Sequence, residues 1–254
     1  MRTISFLTQK GGAGKTTLAA SLAVAAAGAG ERVIALDFDP QASLTRWGQR
    51  REAKNASNKV MIEPFEVERL PRLGAVIEGL AGVGFTLAIF DTPGADSNSI
   101  RMVAESTDLC LLPARPTRLD VEATAATFRA VHLAKRKAAF VLNQCPATYR
   151  SARAGEAAKD LVRLGVLAEP MLSARIDFQD AIAAGLGVTE YAGDGKAAQE
   201  IEALWSWIYA QFKESHSEAA VHDRPLPRAS ALSERLAGIA RSPHVRANGV
   251  HDGR

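Results

Sequence analysis

Residues Thr8-Gln9-Lys10-Gly11-Gly12-Ala13-Gly14-Lys15-Thr16-Thr17 bring together the groups that hold a phosphate chain. Glycines let the backbone fold back so that successive N–H groups converge on an anion. Lys15 carries a positive charge to the β- and γ-phosphates of a nucleotide, and the Thr16 hydroxyl suits Mg²⁺. The apolar run Ile4-Ser5-Phe6-Leu7 precedes the loop, and a long Ala/Leu-rich helical pattern follows it. Strand, loop and a helix whose positive dipole end faces the anion are the context such a motif requires. A glycine turn that only joined strand to helix would leave the order Gly14-Lys15-Thr16-Thr17 unexplained. Lys10 to Thr17 is therefore the expected nucleotide site.

Carboxylates are expected at the same edge. The strand-like run Arg32-Val33-Ile34-Ala35-Leu36-Asp37 leads into Asp37-Phe38-Asp39-Pro40-Gln41. The run Phe85-Thr86-Leu87-Ala88-Ile89-Phe90-Asp91 leads into Asp91-Thr92-Pro93-Gly94. Ligands of open α/β sheets bind at the carboxyl ends of strands, so all three aspartates are candidates to act beside the phosphates. Phosphoryl transfer depends mainly on positioning and charge neutralisation, which a cation, two lysines and oriented carboxylates can supply. One such aspartate alone could be a helix cap or turn residue. Three in this order behind a phosphate loop point to the chemical role.

The elements that must position these groups alternate between short β-rich runs and helical patterns. The expected fold is α/β, a mostly parallel twisted sheet flanked by helices on both faces, of the P-loop NTPase type. Lys15 to Gly30 reads as the first helix, Ser43 to Ala53 as the second and Lys59 to Val67 as a strand. Asp108 to Pro113 and Ala138 to Asn143 continue the strands, with helices over Leu119 to Lys137 and Ala152 to Leu164. A late strand near Glu169 to Leu172 precedes a short helix from Phe178 to Ala184. Ile201, Leu204, Trp205, Ile208 and Phe212 recur at helical spacing, so Ala197 to Phe212 should be a helix packed on the sheet.

One departure narrows the family. Gln9 stands where the ordinary phosphate loop has glycine, and a second lysine, Lys10, precedes Gly11-Gly12. This K-G-G-x-x-G-K-T form resembles the deviant Walker A of the ParA/MinD superfamily, and Asp37-Phe38-Asp39-Pro40-Gln41 resembles its D-x-D-P-Q segment. The resemblance covers nearly all of residues 3–212 and is looser after about residue 95. It implies an ATP hydrolase that uses Mg²⁺ and forms a nucleotide-dependent homodimer, with Lys10 reaching the partner subunit's nucleotide. It further implies that Asp37 helps organise Mg²⁺ through water and that Asp39 positions the attacking water. Asp91 would accept from a Mg²⁺-bound water, and Asn143 would contact the adenine edge.

Ser173-Ala174-Arg175-Ile176-Asp177-Phe178, with Ala184-Gly185 and Val188-Thr189-Glu190-Tyr191, resembles the late ParA segment near the base and the DNA face. That makes Arg175 the first candidate for DNA contact, ahead of Arg150, Arg153 and Lys196. The implied process is plasmid or chromosome partition by a small ParA-type ATPase without an N-terminal helix-turn-helix domain. Its implied partners are non-specific nucleoid DNA and a ParB-like centromere-binding or adaptor protein that stimulates hydrolysis. Related proteins use the same cycle to position protein clusters, assist plasmid transfer or, on membranes, regulate the division site.

Composition bounds these readings. The 254 residues suit one α/β unit, residues 1–214, with a flexible tail over 215–254 rich in Ser, His, Pro, Arg and Gly. Net charge is only +3, so DNA binding must come from a local patch. Cys110 and Cys145 lie in apolar strand-like runs without metal or disulfide spacing, which disfavours an iron–sulfur reductase and suits a reducing cytoplasm, where the ParA resemblance implies association with the nucleoid. With the first strand at the start of the sequence, no signal peptide is expected. No apolar run approaches a membrane span. The weak amphipathic stretch Ala229 to Arg241 lacks the bulky aromatics of a membrane anchor, so no membrane partner is expected.

Overall fold

Val33–Asp37, Leu87–Asp91 and Leu109–Ala114 are buried at every residue. Runs of that kind need cover on both faces, which is how parallel sheets are built. The computed structural model describes residues 1–57, 59–94, 97–147 and 151–213. It shows seven parallel strands in the order β3-β2-β4-β1-β5-β6-β7. These are β1 (Arg2–Phe6), β2 (Val33–Asp37), β3 (Val60–Pro64), β4 (Leu87–Asp91), β5 (Leu109–Ala114), β6 (Lys137–Leu142) and β7 (Val166–Leu167). The α/β, P-loop type expectation holds.

Alternate strand residues feed two separate cores. Ile4, Phe6, Val33, Ala35, Leu87 and Ile89 face one side, while Ile34, Leu36, Ala88 and Phe90 face the other. The first side is covered by α1 (Lys15–Gly28), α2 (Ser43–Ala53), α7 (Ile176–Ala184), α8 (Val188–Tyr191) and α9 (Lys196–Lys213). The second is covered by α3 (Leu73–Gly82), α4 (Ser97–Glu105), α5 (Arg118–Leu133) and α6 (Ala152–Leu164). Helix α1 is buried nearly all round because it lies between the sheet and α9. Its alanines keep that layer thin. The stripe Ile201, Leu204, Trp205, Ile208 and Phe212 faces this core, as its spacing predicts.

Several boundaries differ from the sequence reading for local reasons. Helix α5 stops at Leu133 rather than near Lys137, because Lys135 adopts φ 55 and Lys137 already pairs in β6. Only Val60–Pro64 of the run Lys59 to Val67 is a strand; Val67–Arg72 forms a 3₁₀ turn. The late strand is Val166–Leu167, not 169–172. Pro170 has no N–H to give a ladder, and beyond it only Cys145 and Ser173 form an isolated bridge. Arg150 and the segment 214–254, tail included, lie outside the described residues.

Candidate nucleotide site

The strand order places β1 at the centre, with β4 on one side and β5 on the other. Its loop therefore emerges where the strand order reverses, the crevice that ligands of open α/β sheets use. Gly14 is the N-cap of α1 and adopts φ 89. A Cβ there would stand 2.5 Å from Asn143 Nδ2, so both conformation and space call for glycine. Gly11 and Gly12 are exposed, Ala13 is buried, and Thr16 and Thr17 lie half-buried on the first helical turn.

Lys15 is the first residue of α1 and is 8% exposed. Its Nζ lies 3.5 Å from the Lys10 carbonyl oxygen, which curls the loop around the ammonium. Burial lowers the Lys15 pKa, while Asp91 and then Asp39 pull it back up. A phosphate would supply the anionic partner that this buried cation otherwise takes from carboxylates.

Register brings the acidic residues together. Asp37 is the Cα partner of Asp91, and Asp91 is that of Phe6 at the end of β1. Asp37 accepts from Asp39 N at 3.1 Å, Thr45 N at 2.8 Å and Thr45 Oγ1 at 2.9 Å, so it fixes the start of α2. Asp39 is half-buried and its Oδ1 accepts from Gln41 N at 2.9 Å. Asp91 is fully buried, and no hydrogen bond of good geometry reaches either carboxylate oxygen, although the Thr16 hydroxyl lies close enough to act on it. Burial pushes its carboxyl up to about 7; the Thr16 hydroxyl opposes this, Asp37 reinforces it, and Lys15 opposes it. The next residue, Thr92, donates its hydroxyl to Phe6 O at 2.6 Å and ties the segment to β1.

The opposite side of the loop is held by β5, β6 and α5. Asn143 Nδ2 donates to Ala13 O at 2.9 Å, and Gln144 Nε2 donates to Gly12 O at 3.0 Å. Asn143 thus clamps the phosphate loop with its nitrogen. Lys10 Nζ meets Asp120 Oδ2 at 3.4 Å. Asp120 also accepts from Arg115 Nε at 3.1 Å and from the Thr117 hydroxyl. Burial alone would raise Asp120, but Thr117, Arg115 and Lys10 outweigh it and hold the carboxyl below its ordinary value.

Asp120, Arg115 and Gln144 were not legible as site residues. Thr117-Arg118-Leu119-Asp120 reads as an ordinary helix start, and Thr117 is indeed the N-cap of α5. Arg175 stands apart from the loop at the N-cap of α7. Its guanidinium meets Glu200 Oε1 at 2.7 Å and Ser173 Oγ at 3.3 Å. Arg153 and Lys196 are exposed on α6 and α9.

The residues present suit a nucleotide with Mg²⁺. Two buried Asp91 oxygens that no hydrogen bond of good geometry satisfies, beside the half-buried Thr16, suit a cation or its water shell. Among the described residues no three His, Cys, Asp or Glu side chains converge as a metal cage. Mg²⁺ held between a phosphate chain and one or two protein oxygens needs no such cage.

The chain matches the VirC1 protein family over residues 1–186. It belongs to that family. The VirC1 family is a ParA-like group within the ParA/MinD superfamily of ATPases. Among curated VirC1 relatives, protein virC1 of Rhizobium radiobacter is 36% identical over 132 residues, 52% of this chain and 56% of that protein. The chain thus spans little more than half the length of such VirC1 relatives. A carboxysome-distribution maintenance protein A of Gloeobacter kilaueensis is 34% identical over 205 residues, 80% of this chain and 89% of that protein. The fold is shared with the septum site-determining protein MinD of Pyrococcus horikoshii, complexed with Mg-ADP. That match has a TM-score of 0.65 at 21% identity, over 85% of this chain and 99% of that one.

Proposed function

We propose that this VirC1-family chain is a Mg²⁺-dependent ATPase whose ATP-bound dimer binds DNA without sequence preference and drives plasmid or chromosome partition. The observation that carries the reading is a buried lysine, Lys15, near a buried carboxylate, Asp91, that no hydrogen bond of good geometry satisfies, beside a glycine loop. Such a pair is costly in an empty fold and is useful when phosphates and a cation join it. Mg-ATP, when bound, would supply the phosphoanhydride to be cleaved and the cation that offsets its charge.

The chain's own residues then have distinct tasks. Lys15 and the N–H groups of Gly11 to Thr17 bind phosphates, with the dipole of α1 behind them. Thr16, Asp37 and Asp91 orient the cation and its waters, and Asp39 holds the attacking water. Asn143 keeps the loop in place through Ala13 and presents its remaining oxygen near the base. Lys10 leaves Asp120 and neutralises phosphate charge across the dimer. DNA contact falls to Arg175, with Arg153 and Lys196 as further exposed cations; a ParB-like or adaptor protein stimulates hydrolysis and resets the cycle. The protein is cytoplasmic and associates with the nucleoid.

Positioning of protein clusters is the second reading. It is favoured by the length of the match to the carboxysome-distribution protein, which exceeds that to virC1. Plasmid transfer would use the same cycle. The deciding experiment measures DNA mobility shifts with ATP, ADP and no nucleotide on two unrelated duplexes at low and high salt. Phosphate contacts predict equal binding to both duplexes, dependence on ATP and a steep fall with salt. No ATP-dependent shift under any salt condition would overturn DNA binding as the output.

A further inference from the structure

Asp120 is a buried anion with two cations, and only one of them at a time can leave without stranding it. Its side chain is 3% exposed, whereas Lys10 and Arg115 are each 34% exposed. Lys10 makes the longer contact, 3.4 Å to Oδ2, through a flexible stem. Arg115 makes the shorter, 3.1 Å from Nε to Oδ1, and sits one residue beyond the end of β5. Its Nη1 lies 3.8 Å from where a Gly12 Cβ would stand, so the guanidinium lies along the outer side of the phosphate loop. The carboxylate is fixed from behind by the Thr117 hydroxyl and by the N-terminal turn of α5.

Release of Lys10 from a buried carboxylate is strongly opposed unless another positive charge remains. Arg115 supplies that charge, and its fork geometry can take a second carboxylate oxygen as the ammonium departs. We infer that Arg115 is a positioning residue for Lys10: by keeping Asp120 neutralised, it sets how readily Lys10 leaves its own chain for the dimer interface. This deepens the reading in which Lys10 acts across a dimer and rests on it.

Removing Arg115 leaves Asp120 dependent on Lys10 alone, so the lysine is held harder. Two readouts test this on the full chain. The first is mass-spectrometric labelling of the Lys10 amine by an acylating reagent in the ADP state. Arg115→Ala should lower Lys10 labelling by about tenfold, the factor that one hydrogen bond to a charged group is worth. Asp120→Asn should raise it, and Arg115→Ala with Asp120→Asn should be labelled like Asp120→Asn alone. The second is ATP-driven dimerisation by light scattering. Arg115→Ala should need about tenfold more protein to dimerise, with Mg-ATP affinity of the monomer unchanged, and Arg115→Lys or the added Asp120→Asn should restore assembly.

Parent-like Lys10 labelling in Arg115→Ala overturns the proposal. So does a dimerisation defect that Asp120→Asn does not relieve, or a loss of monomer ATP affinity, which would make Arg115 a phosphate ligand instead. If the parent itself forms no ATP-dependent dimer, the functional reading of Lys10 fails, while the labelling comparison still decides the role of Arg115.

Discussion

Asp37 and Asp91 are register partners at the ends of adjacent strands, yet Asp37 accepts three hydrogen bonds and no hydrogen bond of good geometry reaches Asp91. Asp37 is satisfied by the backbone of the loop and helix that follow it. Burial outweighs what the Thr16 hydroxyl and Lys15 offer Asp91, so its carboxyl sits near 7. A pH dependence follows. In the unfolded chain this group loses its proton near the ordinary aspartate value of about 4. Between about pH 4 and about pH 7 the folded state retains a proton that the unfolded state has released, so nucleotide-free stability falls as pH rises through that window. Denaturant unfolding at a series of pH values should show this slope, and Asp91→Asn should remove it. A cation competes with the same proton, so Mg²⁺-ADP should raise Tm more at about pH 8 than at about pH 6.

Lys15→Ala should lower nucleotide affinity by one to two orders of magnitude, since a hydrogen bond to a charged group is worth about 1.5–3 kcal/mol. Calorimetric titration with ATP and ADP checks it. Parent-like affinity would remove Lys15 from the phosphate site.

Asp39→Ala should bind ATP and dimerise but hydrolyse about a hundredfold more slowly, the lower range for loss of a positioned acid–base group. Single-turnover measurements separate this from slow product release. Equal turnover in variant and parent would assign Asp39 to the Gln41 turn alone.

Arg175→Ala should weaken DNA binding uniformly across sequences and reduce its salt dependence by about one phosphate contact, while sparing ATP binding. The ion pair with Glu200 adds a second arm. Glu200→Gln should strengthen DNA binding by freeing the guanidinium. If neither variant shifts the mobility-shift midpoint, the DNA face lies elsewhere.

Burial raises the Cys110 thiol to about 12 and the Cys145 thiol to about 11. Both lie in the core on the α5 side of the sheet. Neither should react with a maleimide in the native protein near neutral pH, and both should react after unfolding. Rapid native labelling, or a coloured purified protein, would reopen the iron–sulfur reading.

What the sequence made legible was local. The phosphate loop, the Asp37 and Asp91 strand ends and the α9 stripe each depend on residues within a few positions of one another. Contacts across the fold were not legible. Lys10 and Asp120 are 110 residues apart, and nothing around Asp120 distinguishes it from a helix-capping aspartate. Asn143 was read as a base contact, and its clamp on Ala13 appears only when β6 is placed beside β5. The resemblance makes Arg175 a DNA contact, and its ion pair with Glu200 was not legible because Glu200 comes from a helix two elements later. The end of α5 was misjudged for a different reason: the left-handed turn at Lys135 is set by a residue with no strong preference for it.

The order β3-β2-β4-β1-β5-β6-β7 divides the site along the line of β1. Asp37, Asp39 and Asp91 approach the phosphate loop from the β2–β4 half, and Arg115, Asp120, Asn143 and Gln144 approach it from the β5–β6 half. Under the proposed roles, the flank from β2 and β4 would serve the chemistry at the phosphates, and the flank from β5 and β6 would govern commitment to a second subunit. A protein built this way can change its partner or cargo by altering one flank and keep its clock by preserving the other.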